Sequence, residues 1–278
     1  MRRRHLRGLL YPLKRIAKEP PFRLVARAFV WAFSRRVRVQ SDWDVSPRPQ
    51  YLAGVLRAAE QGIREGHPEI CVIEFGVAHG AGLLALQDIA AAVEQETNIR
   101  ISVYGFDTGQ GLLETNGDFR DQPDRWKAGD FAMNPDYLRP RLARRTKLIL
   151  GDVATTVPEF LASEQHAPIG FVAVDLDLYS STRDALRIFT LSGKRMLLHV
   201  PMYFDDTTGL RSHRFNGELL AIDEFNRNND MVKIDVWQGF ADERAFPEHP
   251  WVKRMYVAHD VAGVSKVSLP LRPPLKLS

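Results

Sequence analysis

The chain has 278 residues, of which 45% are hydrophobic and 26% charged, and it contains one cysteine, Cys71. This is the composition of an ordinary globular protein, long enough to bury a sizeable core in one α/β domain. A single thiol excludes an intrachain disulfide and a zinc site built from several cysteines. The sequence has no apolar run near the roughly 20 residues that a membrane-spanning helix needs.

Positive charge is concentrated at the start of the chain. Residues 1–40 contain 12 Lys and Arg against one acid, Glu19, and the remaining residues contain 26 basic and 33 acidic side chains. The excess of positive charge therefore belongs to this segment and not to the body, so it does not predict a nucleic-acid partner. Basic side chains also interrupt the apolar stretch that a secretory signal would need. We expect a cytoplasmic protein.

Residues 1–40 are predicted to form a basic helical arm. Apolar residues recur there at helical spacing between the basic ones, namely Leu6, Leu9, Leu10, Leu13 and Ile16. Two interpretations stay open. The arm either packs on the domain, or it contacts a partner protein or the inner membrane surface peripherally, as basic amphipathic helices do.

From residue 41 the pattern predicts one domain that ends near residue 270 and is followed by a loose tail, residues 271–278. Residues 108–135 are predicted to be rich in loops. The predicted strands cover residues 69–76, 100–107, 146–153, 169–177, 194–206, 232–237 and 253–261. The predicted helices cover residues 51–65, 81–96, 137–143, 155–163, 180–189 and 217–228.

Strands and helices alternate along this domain, and most of the strands are almost continuously apolar. Such a pattern is typical of an α/β fold with helices on both faces of a parallel sheet. We therefore predict a Rossmann-like, doubly wound and mostly parallel sheet of seven strands. The last two strands follow each other without a clear helix between them, which predicts a C-terminal antiparallel hairpin.

The first predicted strand runs into a turn that contains Gly76, Gly80 and Gly82. Ligands of doubly wound sheets bind at the carboxyl ends of the strands, where glycines would let a bound molecule approach the backbone. The spacing differs from the G-x-G-x-x-G pattern of dinucleotide-binding turns, so we predict a nucleoside cofactor without a pyrophosphate. Glu74, just before the turn, is predicted to lie beside a cationic group of this cofactor or beside a water near it.

Two more acidic residues end the next two predicted strands. Asp107 is placed to accept hydrogen bonds from ribose hydroxyls, and Asp152 is placed to meet an adenine amine. Each aspartate alone is also explained as a helix cap. Together with the glycine turn, they follow the order that a class I S-adenosylmethionine methyltransferase needs, so we predict S-adenosyl-L-methionine as the cofactor.

A second acidic group follows the later strands. Asp175 and Asp177 are two residues apart, so both carboxylates can point to one side of an extended strand, and Asp205 and Asp206 follow the next apolar stretch. Clustered carboxylates repel one another unless a cation or a proton intervenes, and oxygen ligands suit Mg²⁺. In the alternative interpretation, Asp177 caps a helix and the pair at 205–206 belongs to a turn.

Four stretches resemble the macrocin/novobiocin O-methyltransferase family, and the resemblance extends over roughly residues 50–210. They are "IEFGVAHGAG", "YGFDTGQGL", "LILGDV" with the helix after it, and "VDLDLYSSTRDAL", which is the most specific. The resemblance implies methyl transfer to a hydroxyl of a small or sugar-containing acceptor. It also implies Asp177 as the catalytic base and Asp175, Asp205 and Asp206 as ligands of Mg²⁺.

One departure from the family pattern affects the last two of these residues. The family places its aspartate pair shortly after a glycine-containing turn, whereas here residues 194–204 separate Gly193 from Asp205. Either the strand is longer, or the pair at 205–206 is not equivalent.

Two other functions stay open, together with assembly into a homo-oligomer. A nicotinamide-dependent oxidoreductase would use a similar sheet, but the G-x-G-x-x-G pattern is missing. A non-catalytic scaffold would use the arm to bind a membrane or a partner.

Overall fold

A seven-stranded sheet forms the centre of the protein. The computed structural model describes residues 22–163, 165–190 and 195–267. The apolar repeat predicted between Leu6 and Ile16 and the predicted tail at 271–278 lie outside the described residues. The strands are β1 (Glu69–Phe75), β2 (Arg100–Asp107), β3 (Thr146–Leu150), β4 (Ile169–Val174), β5 (His199–Phe204), β6 (Val232–Val236) and β7 (Met255–Asp260).

Nine α-helices are found in the described ranges, joined in places by short 3₁₀ turns. They are α1 (Phe22–Phe33), α2 (Val37–Asp42), α3 (Pro49–Arg64), α4 (Ala81–Thr97), α5 (Pro135–Leu138), α6 (Val153–Ala162), α7 (Tyr179–Ala185), α8 (Gly217–Asn228) and α9 (Val261–Val264). None of them is both long enough and apolar enough to cross a membrane.

The strand order is β3-β2-β1-β4-β5-β7-β6. Strands β1 to β5 run parallel, and β7 inserts antiparallel between β5 and β6. This confirms the predicted doubly wound, mostly parallel sheet with its antiparallel C-terminal strands. The chain leaves β1 for β2 on one side and reaches β4 on the other, so a switch point lies beside the carboxyl end of β1.

The apolar spacing of the helices matches the side that each helix buries. In α4 the apolar residues that recur at helical spacing are all buried: Leu83, Leu86, Ile89, Ala90 and Val93. Every residue of β4 is buried, as expected for a strand with helices on both of its faces. Helix α3 begins with Pro49 in its first turn, where a missing backbone N–H is tolerated.

The segment between α2 and α3 is held by a buried ion pair. Asp44 is fully buried and forms an ion pair with Arg244, itself only 6% exposed, and His249 Nδ1 lies 3.1 Å from the second oxygen of Asp44. Arg27 donates to the backbone carbonyl of Asp44 at 2.8 Å. Residues of α1, of the segment between α2 and α3 and of the segment before β7 therefore meet at one carboxylate.

We predict that Asp44→Ala lowers the free energy of unfolding by about 3 kcal/mol, because it removes the carboxylate beside the buried guanidinium of Arg244. The matched control is Asp124→Ala, which breaks an exposed ion pair with Arg211 and should cost less than about 1 kcal/mol. Urea unfolding followed by circular dichroism measures both. Equal losses in the two variants would contradict the role given to Asp44.

Candidate active site

A cavity of about 340 Å³ opens at the carboxyl ends of the parallel strands. Its size falls at the lower end of the range for small-molecule sites. Seven of the ten residues predicted from sequence line it, namely Gly76, Asp107, Asp152, Asp175, Asp177, Asp205 and Asp206. Glu74, Gly80 and Gly82 are not among its lining residues.

Position 76 has to be a glycine because the backbone of Asp175 leaves no room for a side chain there. Its φ is +84°, and a Cβ at this position would lie 1.8 Å from the carbonyl oxygen of Asp175. The Gly76 N–H donates to the carbonyl of Phe106 at 2.9 Å, and the Asp175 N–H donates to the carbonyl of Phe75 at 2.9 Å. The turn therefore lies directly against the backbone that follows β4, and it borders the cavity as well.

The other two glycines pack against side chains of the protein. An added Cβ would lie 2.5 Å from Leu138 at Gly80, and 1.9 Å from the Oε1 atom of Glu74 at Gly82. The prediction that a bound molecule needs these two glycines is therefore corrected. They allow α5 and the end of β1 to approach the start of α4.

Glu74 lies in the core. It is 2% exposed, and the Tyr51 hydroxyl donates to its Oε1 at 2.6 Å. Burial raises the pKa of Glu74 to about 8, against the opposing effects of that hydrogen bond and of the nearby Arg48. Glu74 lies beneath the first turn of α4, and its predicted contact with a cationic cofactor group or with a water near it stays a prediction.

Asp107 is fixed by backbone donors from two turns. Its Oδ2 accepts from the N–H groups of Val77 at 2.9 Å and Ala78 at 2.8 Å, and its Oδ1 accepts from Gly109 at 2.7 Å. The residue is 8% exposed and borders the cavity. A carboxylate has about four acceptor sites, so about one is left for a ligand hydroxyl.

Asp152 has the first of the two roles that the sequence left open, that of a helix cap. Its side chain accepts from the Ala154 N–H at 2.9 Å and so caps α6. It is also exposed and borders the cavity. The proposed contact with an adenine amine stays a prediction.

Three of the four later aspartates form one cluster. Asp175, Asp177 and Asp206 each place a carboxylate oxygen within 4.8 Å of the other two. Asp177 has a φ of +61°, a conformation that is uncommon for residues other than glycine and that occurs often at functional sites. Three oxygen ligands at this separation fit the donor set that Mg²⁺ prefers.

Electrostatic repulsion within this cluster is strong. Burial and, to a smaller extent, the charges of Asp205 and Asp206 raise the pKa of Asp175 to about 7. Burial also raises the pKa of Asp177, and its hydrogen bond with Asp206 and the charge of Asp206 act in the same direction. A proton or a cation bound among these carboxylates would relieve the repulsion.

Asp205 is not part of the cluster. Its Oδ1 accepts from the Tyr203 hydroxyl at 2.5 Å and from Arg254 at 2.8 Å. The prediction of Asp205 as a metal ligand is therefore corrected, although its side chain borders the same cavity. The strand before Asp205 begins at His199, whereas the sequence predicted a strand from residue 194. The additional residues between Gly193 and Asp205 therefore do not make β5 longer.

Two residues that hold Asp206 were missed by the sequence analysis. Arg125 donates to the Oδ1 of Asp206 at 3.0 Å and stacks 3.9 Å from the ring centre of Trp126. Glu218 in α8 is 1% exposed and accepts from the Asp206 N–H at 2.9 Å. Arg125 comes from the segment predicted only as loop-rich, and Glu218 from a helix with no visible motif.

No protein-family model matches the chain, and no curated protein matches its sequence. Among solved structures, its fold is similar to that of CalS11, a calicheamicin methyltransferase, with a TM-score of 0.53, 20% identity, and coverage of 87% of this chain and 93% of that chain. It is also similar to the O-methyltransferase NovP, with a TM-score of 0.52, 16% identity, and coverage of 76% and 79%. These similarities show that the chain has the Rossmann-like fold of these methyltransferases.

Glu74 gives a prediction for the pH dependence of stability. The folded protein keeps a proton on Glu74 between about pH 5 and pH 8, whereas the unfolded chain loses it near the ordinary pKa, so this group lowers stability as the pH rises through that range. Each pKa unit between the two states is worth about 1.4 kcal/mol. Glu74→Gln should therefore lose less stability than the wild type over this range.

Urea unfolding at the two ends of the range measures this difference. Glu114→Gln removes one carboxyl from the surface and controls for the change in net charge. If Glu74→Gln and the wild type lose equal stability as the pH rises, the buried carboxyl is not protonated in the folded state.

Proposed function

We propose that this protein is an S-adenosylmethionine-dependent methyltransferase that methylates a hydroxyl oxygen of a small or sugar-containing acceptor. The observation that carries the proposal is one cavity that joins Asp107, at the end of β2, to the carboxylate cluster after β4 and β5. The part of the cavity near Asp107 would bind the nucleoside of the cofactor, and the part near the carboxylate cluster would bind the reacting hydroxyl.

The first half fits a nucleoside cofactor. The carboxylate of Asp107 is held in place by three backbone N–H groups, so little rearrangement is needed for it to accept a ribose hydroxyl. Asp152 borders the same cavity from the start of α6 and is assigned to the adenine side. The bound cofactor would supply a methyl group on a sulfonium sulfur.

The second half fits the removal of a proton from a hydroxyl. When the hydroxyl oxygen bonds to the methyl carbon, the carbon–sulfur bond breaks and the hydroxyl proton has to leave. Asp177 is assigned as the acceptor of this proton, because its carboxylate borders the cavity within the acidic cluster.

Mg²⁺ would be held by Asp175, Asp206 and one oxygen of Asp177. When bound, it would neutralise part of the clustered negative charge and lower the pKa of a hydroxyl beside it. Arg125 and Glu218 hold Asp206 from two sides and so orient this carboxylate. The O-methyltransferase NovP, which shares the fold, supports oxygen as the acceptor atom.

The alternatives are less well supported. Dinucleotide-binding sheets have six strands in the order 3-2-1-4-5-6, whereas here an antiparallel β7 lies between β5 and β6. A scaffold without catalytic function would have no use for buried, mutually repelling carboxylates, which lower stability and are typical of functional sites.

We predict that S-adenosylhomocysteine binds the wild type and that Asp107→Ala weakens the binding by at least about tenfold, because a fixed acceptor for a ribose hydroxyl is lost. Isothermal titration calorimetry gives both dissociation constants. The surface variant Asp124→Ala should bind like the wild type. A folded wild-type protein that binds no nucleoside would refute the cofactor, and unchanged binding by Asp107→Ala would refute the ribose contact.

Titration with Mn²⁺, followed by electron paramagnetic resonance, tests the metal site. Asp206→Asn should reduce Mn²⁺ affinity by at least about tenfold, because a ligand of the cluster becomes neutral, whereas Asp205→Asn should have a smaller effect. A larger loss of affinity in Asp205→Asn than in Asp206→Asn would contradict the ligand set proposed here. No binding by the wild type would exclude a metal at these residues.

A further inference from the structure

Helix α1 turns its charged side toward the protein and its apolar side outward. Arg23 lies 2.6 Å from a carboxylate oxygen of Glu248, and both Arg23 and Arg27 lie 5.2 Å from the ring centre of Phe246. Val30, one turn further along, is the buried apolar residue of the helix. Residues 23, 27 and 30 share one helix face, so this face attaches α1 to the body.

The rest of α1 is apolar and open to solvent. Phe29 and Phe33 pack on each other with ring centres 4.8 Å apart, yet both remain mostly exposed. Single exposed apolar residues are common, but a contiguous patch marks an interaction surface. Six large apolar side chains with exposed fractions between 57% and 74% define this outer face: Phe22, Leu24, Val25, Phe29, Trp31 and Phe33.

Basic residues flank the outer face on both sides in the sequence. Residues 1–21, which precede α1, contain seven Lys and Arg, and Arg35 and Arg36 follow it as exposed residues. The sequence has no acidic residue between Glu19 and Asp42. A binding partner that complements this helix therefore has an apolar interior for the outer face and negative charges at its surface for the flanking basic residues.

We propose that the outer face of α1 binds the surface of a bilayer that contains anionic phospholipids. Phe and Trp side chains would enter the boundary between headgroups and acyl chains, and the flanking basic residues would be attracted to the lipid phosphates. Pairing α1 with α1 of a second copy fits less well, because it would bring two strongly basic segments together. The attachment through Arg23 and Arg27 keeps the apolar side chains turned away from the body.

Sedimentation of the full-length protein with vesicles tests this proposal. The vesicles contain phosphatidylcholine alone or phosphatidylcholine with phosphatidylglycerol. The test variant is Phe29→Glu/Trp31→Glu, which places two charges on the outer face. The matched control is Leu210→Glu/Met231→Glu, which makes the same kind of change at two exposed apolar residues of the body.

We expect the wild type and the control to bind the anionic vesicles at least about tenfold more tightly than the neutral ones, and added salt to weaken this binding. The test variant should lose at least about tenfold in affinity for the anionic vesicles while its melting temperature stays close to that of the wild type. This pattern would support the proposal.

Three results would overturn it. The wild type could show no preference for anionic vesicles. The test variant could bind them as well as the wild type does, which would mean that the rest of the chain covers the outer face or binds the lipid. Light scattering could show a dimer in the wild type and a monomer in the test variant, which would identify a second copy as the occupant.

Discussion

The ends of β1 and β4 lie so close together that the residue after β1 has no room for a side chain. A Cβ on Gly76 would lie 1.8 Å from the carbonyl oxygen of Asp175, and the Asp175 N–H donates to Phe75 at 2.9 Å. This approach brings the turn that leads to the proposed nucleoside half of the cavity against the strand that leads to the carboxylate cluster. A larger residue at 76 would push these two parts of the cavity apart.

Buried carboxyl groups support this arrangement from beneath and from the side. Glu74 lies under the start of α4, where Gly82 leaves space for it, and Tyr51 donates to it. Glu218 holds the backbone of Asp206 from α8. Each of these groups is expensive to bury, so the fold gives up stability to fix the positions of a few atoms around the cavity.

The sequence was informative about the fold because the strands are apolar and the helices keep a 3.6-residue period. It also identified the strand ends, since acidic residues and glycines stand out where an apolar run stops. It did not distinguish Asp205 from Asp206. Neighbouring residues point to different sides of the chain, and the choice depends on Arg254, which lies 49 residues away in the chain. The glycines were predicted to make room for a ligand, but the contacts that require them come from Asp175, Leu138 and Glu74.

Acidic and basic residues are concentrated in different parts of the chain, and we propose a separate function for each part. The body contains an excess of acidic residues, several of which converge on the cavity, and the N-terminal segment contains almost only basic ones. A crystal structure with S-adenosylhomocysteine tests the central claim most directly. It should place the ribose beside Asp107 and the sulfur on the side of the cavity that faces Asp177. A nucleoside bound away from the ends of β1 and β2, or a sulfur turned away from the carboxylate cluster, would contradict the account.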